Sequence, residues 1–134
     1  MDSSLITQQA LPEDAFLSIQ YIDPLKRVMT LRVYHTDGRL RIFDSQQWRV
    51  ACCFSGDELA QIRETLRACG LFTAEDVADS GVSDPALWIW RWRLGEERGA
   101  AYNRAYPVRT HAAMECAHER LLQIEANAAP CAEQ

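Results

Sequence analysis

Several shortages in the chain each close a class of function. Lys26 is the single lysine among 14 basic residues, the rest being arginine, and there are three histidines. No Gly-rich phosphate loop and no Cys-x-x-Cys pair occurs. The usual signatures of nucleotide cradling, zinc knuckles and dithiol exchange are therefore missing. Ser83, in Gly81-Val82-Ser83-Asp84-Pro85, lacks the second glycine of a nucleophile elbow. No apolar run approaches the roughly 18 residues of a membrane span. Met1 to Phe16 has neither a basic start nor a long apolar stretch, so a secretory signal is not expected. The five cysteines, Cys52, Cys53, Cys69, Cys116 and Cys131, are odd in number, and their spacing points to no disulfide framework. A reducing cytoplasm is the expected compartment, and size and composition fit a bacterial protein.

What is present is ordinary for a globular chain. The sequence has 134 residues, 48% apolar and 25% charged, which fits one domain that needs no covalent staple. The net charge of −5 opposes binding of a polyanion over the whole surface.

Periodicity divides the chain into elements. Residues 1–15 read as a loose arm, 16–128 as one α+β domain and 129–134 as a frayed tail. Phe16 to Ile22 alternates as a strand. Val28 to His35 and Arg39 to Phe43 flank Asp37-Gly38, the strongest short hairpin signal. A two-residue turn there pairs Tyr34 with Arg41 and Val33 with Ile42. Met29, Leu31, Val33, Leu40 and Ile42 then share one face, and Arg32, Tyr34, Arg39 and Arg41 the other. Trp48 to Phe54 is a fourth strand. Ser55-Gly56-Asp57-Glu58 is a capping box, Leu59, Ile62, Leu66 and Cys69 recur at helical spacing, and Gly70 stands at the C-terminal cap. Thr73 to Asp76 can start a short helix, and Asp79 to Pro85 is a loop. Leu87 to Leu94 alternates, with Trp88, Trp90 and Trp92 on one face and Ile89, Arg91 and Arg93 on the other. Ala100 to Tyr106 returns as its partner. Thr110 is expected to cap a last helix, about His111 to Ala128, with Met114, Ala117, Leu121, Ile124 and Ala128 as its apolar stripe. The order ββββ-α-ββ-α predicts an antiparallel sheet of about six strands with two main helices on one face.

Two surfaces and one helix flank carry chemistry. If the helices cover the Met29/Leu31/Val33 and tryptophan faces, Arg32, Tyr34, Arg39, Arg41, Arg91, Arg93 and Arg104 form an exposed Arg/Tyr face, a composition typical of binding hot spots. On that reading Tyr34→Ala leaves the fold intact. The Asp57, Glu58 and Glu64 side of the first helix, with Glu75, Asp76, Asp79 and Asp84 of the following loop, is an alternative docking surface for a basic partner. His111, Glu115 and His118 fall on one helical face, which offers a metal site. The tryptophan row is expected in the core. Cys131 is expected to be the most exposed thiol.

The layout is similar to that of type III secretion chaperones, which are acidic and alternate hairpins with helices, although their initial helix has no counterpart here. It is similar also to small bacterial inhibitor and immunity proteins, although the chain has no Gly-Gly-Phe near its start. Both resemblances are of layout, and they imply a protein partner. The expectation is a non-catalytic protein-binding module: an inhibitor, immunity protein, chaperone or adaptor, with no cofactor, and with a homodimer conceivable because open sheets have edges to cover. The alternatives are a small metal-dependent enzyme and a single-strand nucleic-acid binder.

Overall fold

The computed structural model describes residues 8–44, 46–78 and 85–132. Four strands come first: β1 (Ala15–Asp23), β2 (Val28–His35), β3 (Arg39–Phe43) and β4 (Trp48–Cys53). Helix α1 (Gly56–Ala68) follows, then β5 (Ala86–Leu94), β6 (Glu97–Tyr106) and helix α2 (Ala112–Asn127). They form one six-stranded antiparallel sheet in the order β4-β3-β2-β1-β5-β6, the α+β architecture expected. A single 3-10 turn, Leu71–Thr73, follows α1, and Ala74 is already extended, so no helix starts at Thr73. The 79–84 part of the expected loop lies outside the described residues.

The helix ends follow local chemistry. Ser55 caps α1 through its hydroxyl, and the Glu58 side chain returns the bond to the Ser55 N–H. Gly70 terminates α1 at φ 79°, in the left-handed region where a Cβ is costly. The cap of α2 is His111 rather than Thr110. Its ring Nδ1 accepts from the Met114 N–H at 3.3 Å, which takes one of the unpaired donors of the first turn.

The β2–β3 hairpin departs from the expected register by one residue. Gly38 has φ 101°, while Asp37 has no positive φ, so the mirror-image two-residue turn is absent. Instead the Gly38 N–H donates to the His35 carbonyl at 3.0 Å. Thr36, Asp37 and Gly38 make a three-residue connection, and Tyr34 pairs with Leu40 and Val33 with Arg41. The reason is local. Asp37 accepts from both the backbone N–H and the side-chain Nε of Arg39, an arrangement compatible with ordinary φ at Asp37.

That slip reassigns the faces, because side chains alternate with period two. Leu17, Ile19, Tyr34, Leu40, Ile42, Trp90 and Trp92 face the helices, where they pack with Ile62, Leu66, Met114, Ala117 and Leu121. Each such burial contributes about 1.5–3 kcal/mol. The tryptophan row is thus core, as its alternation implied, with Trp90 and Trp92 buried and Trp88 half-buried. The helices do not cover the Met29/Leu31/Val33 face. Those residues join Ala15, Ile22, Phe43 and Ile89 in a second cluster on the outer side, against which Leu11 packs.

Residues 8–14, expected to belong to a loose arm, lie against this outer face. Arg93 donates to the carbonyls of Leu11, Pro12 and Glu13, and the Gln9 N–H donates to the Gln20 side chain. The C-terminal tail is held as well. Ala129 bridges to Cys53, and a disulfide joins Cys53 to Cys131. A second disulfide, Cys69–Cys116, ties the end of α1 to α2. The expectation of no disulfide framework is therefore corrected. Pairs 78 and 47 residues apart in sequence become neighbours only in the fold. Cys52 stays free and buried, with its thiol pKa raised by desolvation.

Two outcomes follow. Tyr34→Ala truncates a side chain 1% exposed and stacked on Phe54, so it should cost roughly 3–5 kcal/mol in urea unfolding rather than leave the fold intact. Peptide mapping without reductant should recover Cys53 linked to Cys131 and Cys69 linked to Cys116. Recovery of all five thiols free would contradict both bridges.

Candidate functional site

The expected Arg/Tyr face is divided by the register. Arg32 and Tyr34 lie on the helix side. Arg32 donates to Glu125 of α2 in a largely buried ion pair. Tyr34 is in the core, with desolvation the main cause of its raised pKa. They point inward because β2 meets β3 one residue out of the expected register. Arg39, Arg41, Arg91, Arg93 and Arg104 do share the outer face, but each is engaged within the chain. Arg39 pairs with Asp37 and lies 3.8 Å from Asp14. Arg91 reaches Gln8, and Arg93 holds the arm. Arg104 stacks over Tyr102 at 4.3 Å.

Arg41 organises the β3–β4 end of this face. Its Nε donates to His35 Nε2 at 2.8 Å, and its guanidinium lies 4.5 Å above the Trp48 ring. His35 Nδ1 sits 3.1 Å from Asp14 Oδ2, off the line of a hydrogen bond. Trp48 and Val50 stand beside this group, 44% and 51% exposed. Their strand is one end of the sheet. The opposite end differs. There Val77 exchanges backbone bonds with Tyr102 and Arg104, and Asp76 accepts from the Tyr102 N–H, so the Tyr102–Arg104 stretch of the β6 edge is covered. On β4 only Cys53 is bridged, to Ala129. Among the described residues, no strand lies beside Trp48 to Ala51 on the outer side.

The acidic side of α1 faces an open groove against α2, where Glu58 and Glu64 stand with Arg120, Gln61 and Gln123. Asp79 and Asp84, which the sequence adds to the acidic surface, lie outside the described residues.

On the helix side, at the β5–β6 end, the structure forms a half-open pocket of about 350 Å3. His111, Glu115 and His118 all line it, together with Trp88, Trp90 and Tyr106. They do not form a metal centre: among the described residues no group of three His, Cys, Asp or Glu side chains is placed to hold an ion. His111 belongs to the cap and not to the helix, so its ring is turned to the backbone by the bond to Met114. Asn103 supports this wall, donating to the Arg109 carbonyl and accepting from the Ala105 N–H. The sequence reading passed over Leu122, which is 42% exposed on the cavity rim. A signal for it existed. Leu122 falls outside the buried stripe of α2, at helical spacing from Glu115 and His118.

No known protein family matches the chain, and no curated protein matches its sequence.

Burial, and secondarily the nearby Arg32 charge, holds His118 below its ordinary value of 6.5. The unfolded chain therefore takes up this proton before the folded one does, and stability should fall as pH drops through that value. Urea midpoints measured at about pH 7.5 and about pH 5.5 should show the loss, and His118→Gln should reduce it. An unchanged difference in the variant would assign the loss to other groups.

Proposed function

We propose that the protein is a non-catalytic protein-binding module that takes up an extended segment of its partner along β4. The observation that carries this reading is the contrast between the two ends of the sheet. The middle of the β6 edge, Tyr102 to Arg104, is covered by residues 76–77, whereas β4 leaves Trp48, Arg49 and Val50 exposed. Unpaired backbone groups on an edge give affinity to an incoming strand, and side-chain contacts give it specificity. Trp48 supplies an aromatic anchor already oriented by the Arg41 guanidinium. An aromatic–arginine pair of this kind is common at binding hot spots. Arg41 and Arg49 favour a partner segment with acidic side chains. The inhibitor, immunity-protein, chaperone and adaptor readings all accommodate this mode. Among the described residues no helix is long and apolar enough to cross a membrane. The two disulfides weigh toward a setting where thiols oxidise and away from the cytoplasmic expectation.

Affinity capture from the source cells should recover a partner with the wild-type chain. Trp48→Ala combined with Val50→Glu should lose that partner while thermal unfolding stays unchanged, and Leu122→Trp, at the other end of the sheet, should retain it. The same proteins recovered by the wild type and the β4 variant, or no specific partner recovered at all, would overturn the reading.

A further inference from the structure

The segment that follows α2 crosses the edge strand on which the proposed function rests. Ala128 leaves the helix in an extended conformation, and the Cys53 N–H donates to the Ala129 carbonyl at 3.0 Å. The bridge is isolated: among the described residues no further ladder bond joins the segment to β4. Two residues on, Cys131 forms a disulfide with Cys53 itself. One residue of β4 therefore carries both attachments of the tail.

Little else holds the tail there. Ala128 packs on the main core, but residues 129–132 join neither hydrophobic cluster, and Ala129, Pro130 and Ala132 are exposed. A single backbone hydrogen bond near solvent does not offset the entropy lost in ordering several residues. The covalent link is thus what keeps the tail on β4. Neither bridge cysteine belongs to a core cluster, and both are half-buried, which leaves the bridge at the surface. The other disulfide differs. Cys69–Cys116 joins two helices that are already packed through Leu66, Ala117 and Leu121, so α2 keeps its place without the tail.

We propose that the Cys53–Cys131 disulfide is a redox latch on the β4 edge. Closed, it seats the tail at Cys53 and limits the open edge to Trp48–Ala51. Opened, it frees the edge through Cys53, and an incoming segment gains backbone partners at the end nearest α1. The latch rests on the reading that β4 takes up an extended segment, and it adds the regulation of that site. The opening step is exchange with an external dithiol. A thiolate of the reductant attacks one sulfur of the bridge, the S–S bond breaks, and a mixed disulfide forms. The second thiol of the reductant resolves it. The reductant leaves as its own disulfide, and the two electrons and two protons it gives up end on Cys53 and Cys131 as thiols. Cys52 takes no part, because its thiol is buried in the main core.

Amide exchange on the intact chain reads the latch. Loss of a disulfide also lowers global stability, which speeds all protected amides together. The measurement is therefore the ratio of exchange at the Cys53 N–H to exchange at the Phe54 N–H, which is bonded to the Gly38 carbonyl rather than to the tail. Cys131→Ser should raise that ratio about tenfold or more over the oxidised wild type, and dithiothreitol should do the same to the wild type. The probe for the edge is the acetylated and amidated peptide Glu-Val-Glu-Val-Glu-Val, followed by NMR of the β4 amides. It should bind Cys131→Ser about fivefold or more tightly than the oxidised wild type, with the Cys53 amide shifting in the variant alone. An unchanged exchange ratio would overturn the latch whether or not the peptide binds. Equal peptide affinity for the two forms would overturn the latch and leave the β4 reading standing. A peptide that binds neither form would overturn the β4 reading and the latch with it.

Discussion

Gly38 is the point at which the register of the sheet is decided. It takes φ 101°, and a Cβ there would stand 2.6 Å from the Phe54 carbonyl oxygen. Its own carbonyl accepts from the Phe54 N–H at 2.8 Å, so the turn is tied to the end of β4. Only glycine meets both the dihedral and the close approach. The three-residue connection it closes places Leu40 and Ile42 beside Tyr34 and Arg32, facing the helices. With a two-residue turn, Arg39 and Arg41 would share that face and the core would have to bury them. Every later arrangement on β2, β3 and β4 inherits this choice.

The same choice gives the sheet two unequal faces. The helix side holds the larger core, with Arg32 brought into it and neutralised by Glu125. The outer side holds a smaller cluster that helices do not cover. There the arginines bind chain that is already present: Arg93 the arm carbonyls, Arg41 the His35 ring, Arg104 the Tyr102 ring. The two helices carry six carboxylates, among them Asp57, Glu58, Glu115 and Glu119, against three arginines, while five arginines stand on the outer sheet face. Of the two disulfides, one fixes the tail to β4 and the other joins the two helices.

Most elements were legible because their signals are local. Ser55 and Glu58 three residues apart, Gly70 after Cys69, and the alternation from Leu87 to Leu94 each identify structure within a few residues. The α2 stripe was equally clear, yet its cap was misplaced. Histidine is a rare cap, and Thr110 beside it is a common one. The cavity was half legible. His111, Glu115 and His118 were drawn together by helical spacing, but Trp88, Trp90 and Tyr106 come from the two preceding strands, and spacing carries no information about that approach. The β4 edge was illegible, since strand order is a property of the whole sheet.

The sequence by itself determined the element order, the fold class, the inward tryptophan row and both helical stripes, because period and capping are encoded by near neighbours. Tertiary structure alone decided four things. These were the hairpin register, the side of the sheet the helices cover, the pairing of the cysteines, and the meeting of the α2 flank with Trp88, Trp90 and Tyr106 at one pocket. The last three depend on residues far apart in the chain, and the register, closed locally by Asp37 and Arg39, is tied through Gly38 to Phe54. A one-residue slip at Gly38 leaves every local pattern intact while it exchanges the two faces of a strand.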